Sequence, residues 1–180
     1  MSATIIKWLV ALVIIACVLK LCSTAHSGGE SGPIDKMLGK PVPDFQLTTL
    51  DGQPIDQTIF QGHVTLLNDW ASWCGVCEGE MGELQRLGQT YDIQVYGLNT
   101  QNDPNTELAA LKSWGNPFIA TIYDPDWKLA APLRIPSAVP VTFIIDKQGI
   151  IRFEVVGGTN YGYSEQTLVP LIKKLQAENE

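Results

Sequence analysis

Two cysteines spaced by two residues, Cys74-Gly75-Val76-Cys77, are the part of this chain best suited to chemistry. They come after an apolar run, Val64 to Trp70, that reads as a buried strand. They precede residues that read as a helix from about Glu78 to Tyr91. A strand that hands a CxxC pair to a helix start is a redox-active dithiol arrangement. Unpaired backbone N–H groups and the helix dipole at that start favour negative charge on Cys74. The thiolate is the nucleophilic form, so Cys74 is the candidate attacking thiol. Cys77, one turn on, is close enough to close a disulfide and to resolve a mixed one.

Two other readings fit a bare CxxC. It can be half of a zinc site, but zinc needs four ligands. The remaining cysteines, Cys17 and Cys22, lie in the apolar N-terminal stretch, and neither His26 nor His63 stands in ligand spacing with the pair. It can also be a structural disulfide, though so short a loop removes little chain entropy. The redox reading needs no cofactor beyond the Cys74–Cys77 disulfide itself.

The chain has 180 residues, 45% of them hydrophobic, enough for one globular domain with its own core. All 19 acids and 10 of the 12 bases fall in residues 26–180, so that part carries 10 − 19 = −9. Such an acidic balance argues against nucleic acid as a partner. Trp8 to Leu19 is an unbroken apolar run framed by Lys7 and Lys20. Counted from Trp8 on to Ala25, with Lys20 snorkelling, the apolar run within residues 1–25 has a length near the roughly 17–25 residues that cross a bilayer. They read as a signal anchor or as a signal peptide, with Ser23-Thr24-Ala25 resembling a cleavage site and Cys17 a lipoprotein-type one. All three readings export the remainder of the chain. Residues 26–35, rich in Gly and Ser, read as a tether, and 36–180 as the folded domain.

Within that domain the pattern predicts a strand at Phe45–Thr48 and a turn at Asp51-Gly52. A further strand is expected at Ile93–Leu98, then a helix over Asn105–Trp114 with Asn105 or Thr106 as its N-cap. A short strand is expected within Ile119–Tyr123, and a short helix from the Asp124-Pro125-Asp126 turn through Leu133. Val141–Ile145 and Ile150–Val156 read as a hairpin, and Ser164–Gln176 as a closing helix with Leu168, Leu171, Ile172 and Leu175 on one face. This order is that of an α/β thioredoxin fold, a central mixed sheet flanked by helices.

The resemblance is specific. WCxxC after a buried strand and Ala138-Val139-Pro140-Val141-Thr142-Phe143 before the hairpin are similar to the two signatures of the thioredoxin superfamily. Met37 to Phe45, Leu67-Asn68, Trp70-Ala71-Ser72-Trp73-Cys74, Gly115-Asn116-Pro117-Phe118 and Phe143-Ile144-Ile145-Asp146 resemble the membrane-tethered periplasmic reductases of cytochrome c maturation, the DsbE/CcmG group. The resemblance covers about residues 37 to 175. It implies catalytic roles for Cys74, Cys77, Glu80 and Pro140. Pro140 would be a cis-proline facing the dithiol, leaving the Val139 backbone for an extended substrate. Glu80 would tune the cysteines and relay protons. Trp73 would line the rim and touch substrate.

Blander readings stand beside these. Pro140 could be a trans proline opening a strand. Glu80 could be a solvated acid favoured by the helix dipole, and Trp73 a core aromatic. The resemblance further implies a bacterial inner-membrane protein, single-pass, with its domain in the periplasm. Its client would be apocytochrome c, through a CxxCH disulfide, or a heme-ligation protein, and a membrane thiol reductant would supply electrons. Three positions depart from the group. Val141 stands where Glu is usual, Ile135-Pro136 where Gly-Val is common, and Asp69 at a normally apolar strand position. An acid at 69 needs a partner or a raised pKa.

Overall fold

A computed structural model describes residues 37–158 and 165–178. The N-terminal anchor-or-signal segment and the tether lie outside the described residues. The strands are β1 (Gln46–Thr49), β2 (Pro54–Asp56), β3 (Thr65–Asp69), β4 (Gln94–Asn99), β5 (Thr121–Tyr123), β6 (Val141–Ile145) and β7 (Ile151–Val156). The helices are α1 (Gly75–Tyr91), α2 (Pro104–Trp114) and α3 (Glu165–Ala177), with a 3-10 turn at Gln57–Phe60.

The strands form one mixed sheet in the order β2-β1-β5-β4-β3-β6-β7. β3 runs parallel to β4 and antiparallel to β6, so it lies inside the sheet. All five of its residues are buried, although Thr65, Asn68 and Asp69 are polar. Side chains alternate between the two faces. Leu66 and Ile144 join one core cluster, with Met81, Leu84 and Leu87 of α1 and Leu168, Ile172 and Leu175 of α3. Leu67, Phe143 and Ile145 join the other, with Phe60, Leu98, Ile122, Leu129 and Leu133. Leu171 is only half-buried, at the margin of the α3 face.

Trp70 ends the central run and anchors the loop that leads to Cys74. Its ring stacks on Phe118 and meets Trp114 edge-on, each at 5.9 Å between centroids. Gly97 of β4 makes room for it. A Cβ there would lie 2.8 Å from Trp70 Nε1 and 2.6 Å from Thr121 Oγ1.

Several sequence expectations are corrected at their edges. Helix α1 begins at Gly75 rather than Glu78, because the Cys74 sulfur caps it. Helix α2 is capped by Asp103, not Asn105 or Thr106, with Pro104 in its first turn. The Asp103 carboxylate accepts the Asn105 N–H at 3.1 Å and the Thr106 hydroxyl at 2.6 Å, so Thr106 assists the cap rather than forming it. The segment 124–133 forms successive turns instead of a helix. Asp124 explains this: its buried carboxylate accepts the N–H groups of Lys128, Leu129 and Ala130 at 2.7–2.9 Å, taking donors that a helix would use.

Candidate active site

Cys74 and Cys77 are disulfide-bonded, with their Cα atoms 5.2 Å apart. Cys74 is the N-cap of α1, and its Sγ accepts the Cys77 N–H at 3.1 Å. A sulfur so placed takes the hydrogen bond that a Ser or Asp would accept at an ordinary cap. Cys77 is fully covered and Cys74 is 5% exposed, so the contrast in access is narrower than an exposed-versus-shielded pair. The Val139–Pro140 peptide bond is cis, which removes the trans reading. Its Val139 carbonyl oxygen lies 3.8 Å from Cys74 Sγ.

The CxxC loop is held by a hydrogen-bond chain that sequence reasoning missed. Glu107 of α2 is buried and accepts from the Ser72 N–H at 2.9 Å, the Ser72 hydroxyl at 2.6 Å and Asn99 Nδ2 at 2.6 Å. Asn99 Nδ2 also donates to the Trp70 carbonyl, and Asn99 Oδ1 accepts the Gln101 N–H. Gln101 Oε1 accepts the Trp73 indole N–H at 3.0 Å. A signal existed: Glu107 is four residues before buried Leu111, so an acid occupies the inward face of α2.

Trp73 is 66% exposed, so it belongs to the rim and not to the core. Glu80 is 1% exposed, and Glu78 is the solvated acid at the helix start. The Glu80 carboxylate accepts Asn68 Nδ2 at 2.9 Å, and the same amide group reaches Thr142 Oγ1 at 3.1 Å. Neighbouring strands thus hold an acid one turn beyond Cys77. Gly158 packs over this corner. A Cβ there would fall 2.6 Å from Val76 Cγ1 and 3.3 Å from Glu80 Oε2, so a side chain would displace the residues beside the cysteines. Nothing in the sequence pattern marked Gly157-Gly158 for a role.

A groove of about 190 Å³ opens beside the disulfide, lined by Trp73 and Val139 and, at its floor, by Asp69. Asp69 is 2% exposed, and its Oδ1 has no hydrogen-bond partner among the described residues. Burial, and then the charge of Asp124, push its pKa well above the ordinary carboxylate value. The need for a partner or a raised pKa is met by the second. Its Cα partner across the sheet is Val141, so both side chains face the same way.

The comparisons with known proteins agree on what this arrangement is. The Redoxin family model matches residues 37–168. The chain belongs to the Redoxin family. Within it, the chain is 36% identical to the thiol:disulfide interchange protein DsbE of Yersinia pestis, over 92% of this chain and 88% of that one. It is 35% identical to DsbE of Escherichia coli K12, over 97% and 95%. A crystal structure of a DsbF homologue from Corynebacterium diphtheriae superposes with a TM-score of 0.68 at 27% identity, covering 83% of this chain and 97% of that one. As a DsbE-like Redoxin protein it is a thiol:disulfide oxidoreductase with a thioredoxin-like fold, as its sequence resemblance implied. No helix among the described residues is long and apolar enough to cross a membrane.

Proposed function

We propose that this Redoxin protein is an exported disulfide reductase in which Cys74 attacks and Cys77 resolves. The observation that carries it is the Cys74 sulfur at the start of α1, bonded by the Cys77 N–H and faced by the Val139 carbonyl. In the reduced protein the Cys74 thiolate attacks a client disulfide, forming a mixed disulfide and releasing one client thiolate. The Cys77 thiolate then attacks Cys74 Sγ. The Cys74–Cys77 disulfide forms, the second client thiol leaves, and two electrons have passed to the client. A thiol reductant at the membrane returns the pair to its reduced state. Pro140 and the Val139 backbone receive the client as an extended strand, with Trp73 at the rim. Glu80 exchanges protons with the buried Cys77.

The client class that fits the resemblance is the CxxCH disulfide of an apocytochrome c, or a heme-ligation protein, met in the bacterial periplasm by a domain tethered to the inner membrane. A general periplasmic reductase is the second reading, favoured by Val141 where the maturation group carries an acid. Deleting the gene decides between them. Loss of mature c-type cytochromes supports the first, and normal cytochromes with accumulated disulfides in other exported proteins support the second.

Direction is tested separately. Gly75 and Val76 place no charge or imidazole between the cysteines, so nothing in the dipeptide favours the reduced form strongly. A glutathione titration should give a potential nearer about −270 mV than about −120 mV. A value above about −150 mV makes the pair an oxidant and overturns the reductase assignment.

The role of Glu80 has its own readout. Glu80→Gln keeps a side chain of the same shape against Asn68 while removing a titrating charge. The pH profile of alkylation in the reduced protein should change, because a nearby charge alters the proton affinity of the thiols. An unchanged profile makes Glu80 a packing residue.

A further inference from the structure

The groove beside the disulfide has a floor unlike its walls. Trp73, Trp127 and Val139 supply apolar and aromatic surface, whereas Asp69 at the floor is an acid with an unpartnered oxygen. A buried polar atom without a partner costs stability; Oδ1 is itself sealed from solvent, so a donor in the groove meets the carboxyl at its other oxygen, along the 2% of Asp69 that is exposed. Thr100, Gln101 and Ser137 are the other polar residues that line the groove. Gln101 already holds the Trp73 indole, which fixes one aromatic wall in place. Trp127 stands at φ 59°, a left-handed backbone uncommon for so bulky a residue, and its N–H is bonded to the Asp124 carbonyl.

We infer that this groove is a specificity subsite for a cationic side chain of the disulfide client, an arginine within two residues of the cysteine that Cys74 attacks. The inference rests on the oxidoreductase reading of the same site and names what that site prefers. Four features select the occupant. A guanidinium offers a donor to the accessible oxygen of Asp69, and its flat face packs on indole rings. It is also weakly hydrated, so it enters a part-apolar groove more readily than an ammonium group. The domain's surplus of acids draws basic clients toward it. On entry of the cation Asp69 ionises and gives its proton to solvent, leaving a paired carboxylate in place of an unpaired acid. The groove is bounded by Val139 and Trp73, so an extended client lying along Val139 carries its neighbouring side chains past the opening.

The test uses the full-length reduced protein and a set of disulfide peptides. Each carries one arginine, or isosteric uncharged citrulline, at one position within two residues of the disulfide. At one position or more, kcat/KM for the arginine peptide should exceed that for citrulline by about tenfold, the worth of one charge-assisted hydrogen bond. Asp69→Asn should abolish the preference, read as the ratio of the arginine and citrulline rates within the variant itself. Asp69→Val should do the same, which guards against a folding defect particular to one variant. Equal rates at every position, or a preference that survives in both variants, overturn the subsite. A second arm needs no redox step: the same peptides with serine at both cysteines are titrated against the protein by tryptophan fluorescence. Tighter binding of arginine, lost in Asp69→Asn, supports the subsite even if no peptide is reduced. In that outcome it is the reductase reading that fails.

Discussion

Cys77→Ala will convert the protein from a catalyst into a trap, and Cys74→Ser will leave it inert. Cys74 alone has both a hydrogen-bonded sulfur at the helix start and an edge open to solvent, whereas Cys77 is fully covered. With Cys77 replaced, the first exchange still occurs, but no thiol stands behind Cys74 to break the mixed disulfide. One client should remain attached per protein molecule, stable on a non-reducing gel and released by dithiothreitol. Cys74→Ser removes the attacking thiolate, and a serine hydroxyl does not ionise near neutral pH, so peptide reduction should fall to the uncatalysed background. Both variants keep the buried surroundings of the loop, including the Glu107 bonds to Ser72, so thermal unfolding should show them folded. An adduct that forms in Cys74→Ser and not in Cys77→Ala reverses the assigned roles.

Asp69→Val will stabilise the protein, and the gain will grow with pH. Asp69 titrates well above the ordinary carboxylate value in the folded chain, through burial and the charge of Asp124. Below the unfolded pKa, near 3.8, both states hold the proton and the acid carries no ionisation penalty. Above it, the unfolded chain loses the proton while the folded chain keeps it. Stability therefore falls as pH rises from there to the folded pKa, by about 1.4 kcal/mol per pH unit, and levels off beyond it. Valine has no proton to lose, and at this site it meets the side chain of Val141 across the sheet. Denaturant unfolding of wild type and variant between pH 4 and pH 8 measures the effect. A gap between them that shrinks as pH rises contradicts the assignment of Asp69 as a buried neutral acid. The same substitution empties the groove of its acid, so stability and client preference should move in opposite directions.

What the sequence determined by itself was local. The CxxC pair between a buried run and a helix, the strand from Thr65 to Asp69 and the β6–β7 hairpin rest on side-chain period and on two cysteines that only a loop and a helix start could place. Boundaries were less legible where a side chain competed for backbone donors. Asp103 capped α2 earlier than Asn105, and Asp124 took three N–H groups and turned an expected helix into turns. Only the tertiary structure decided the rest, because it depends on residues far apart in the chain. Glu80 could not be distinguished from Glu78 until Asn68 and Thr142 came against it from β3 and β6. Trp73 was undecided between core and rim until Gln101 drew its indole outward. Glu107, 33 residues beyond Cys74, carries the loop through hydrogen bonds that no periodicity announces. Asp69 was anomalous in the sequence, but its meaning required a groove. A buried acid's pKa is set by what surrounds it, and those surroundings exist only once Trp73, Trp127 and Val139 have been brought together over it.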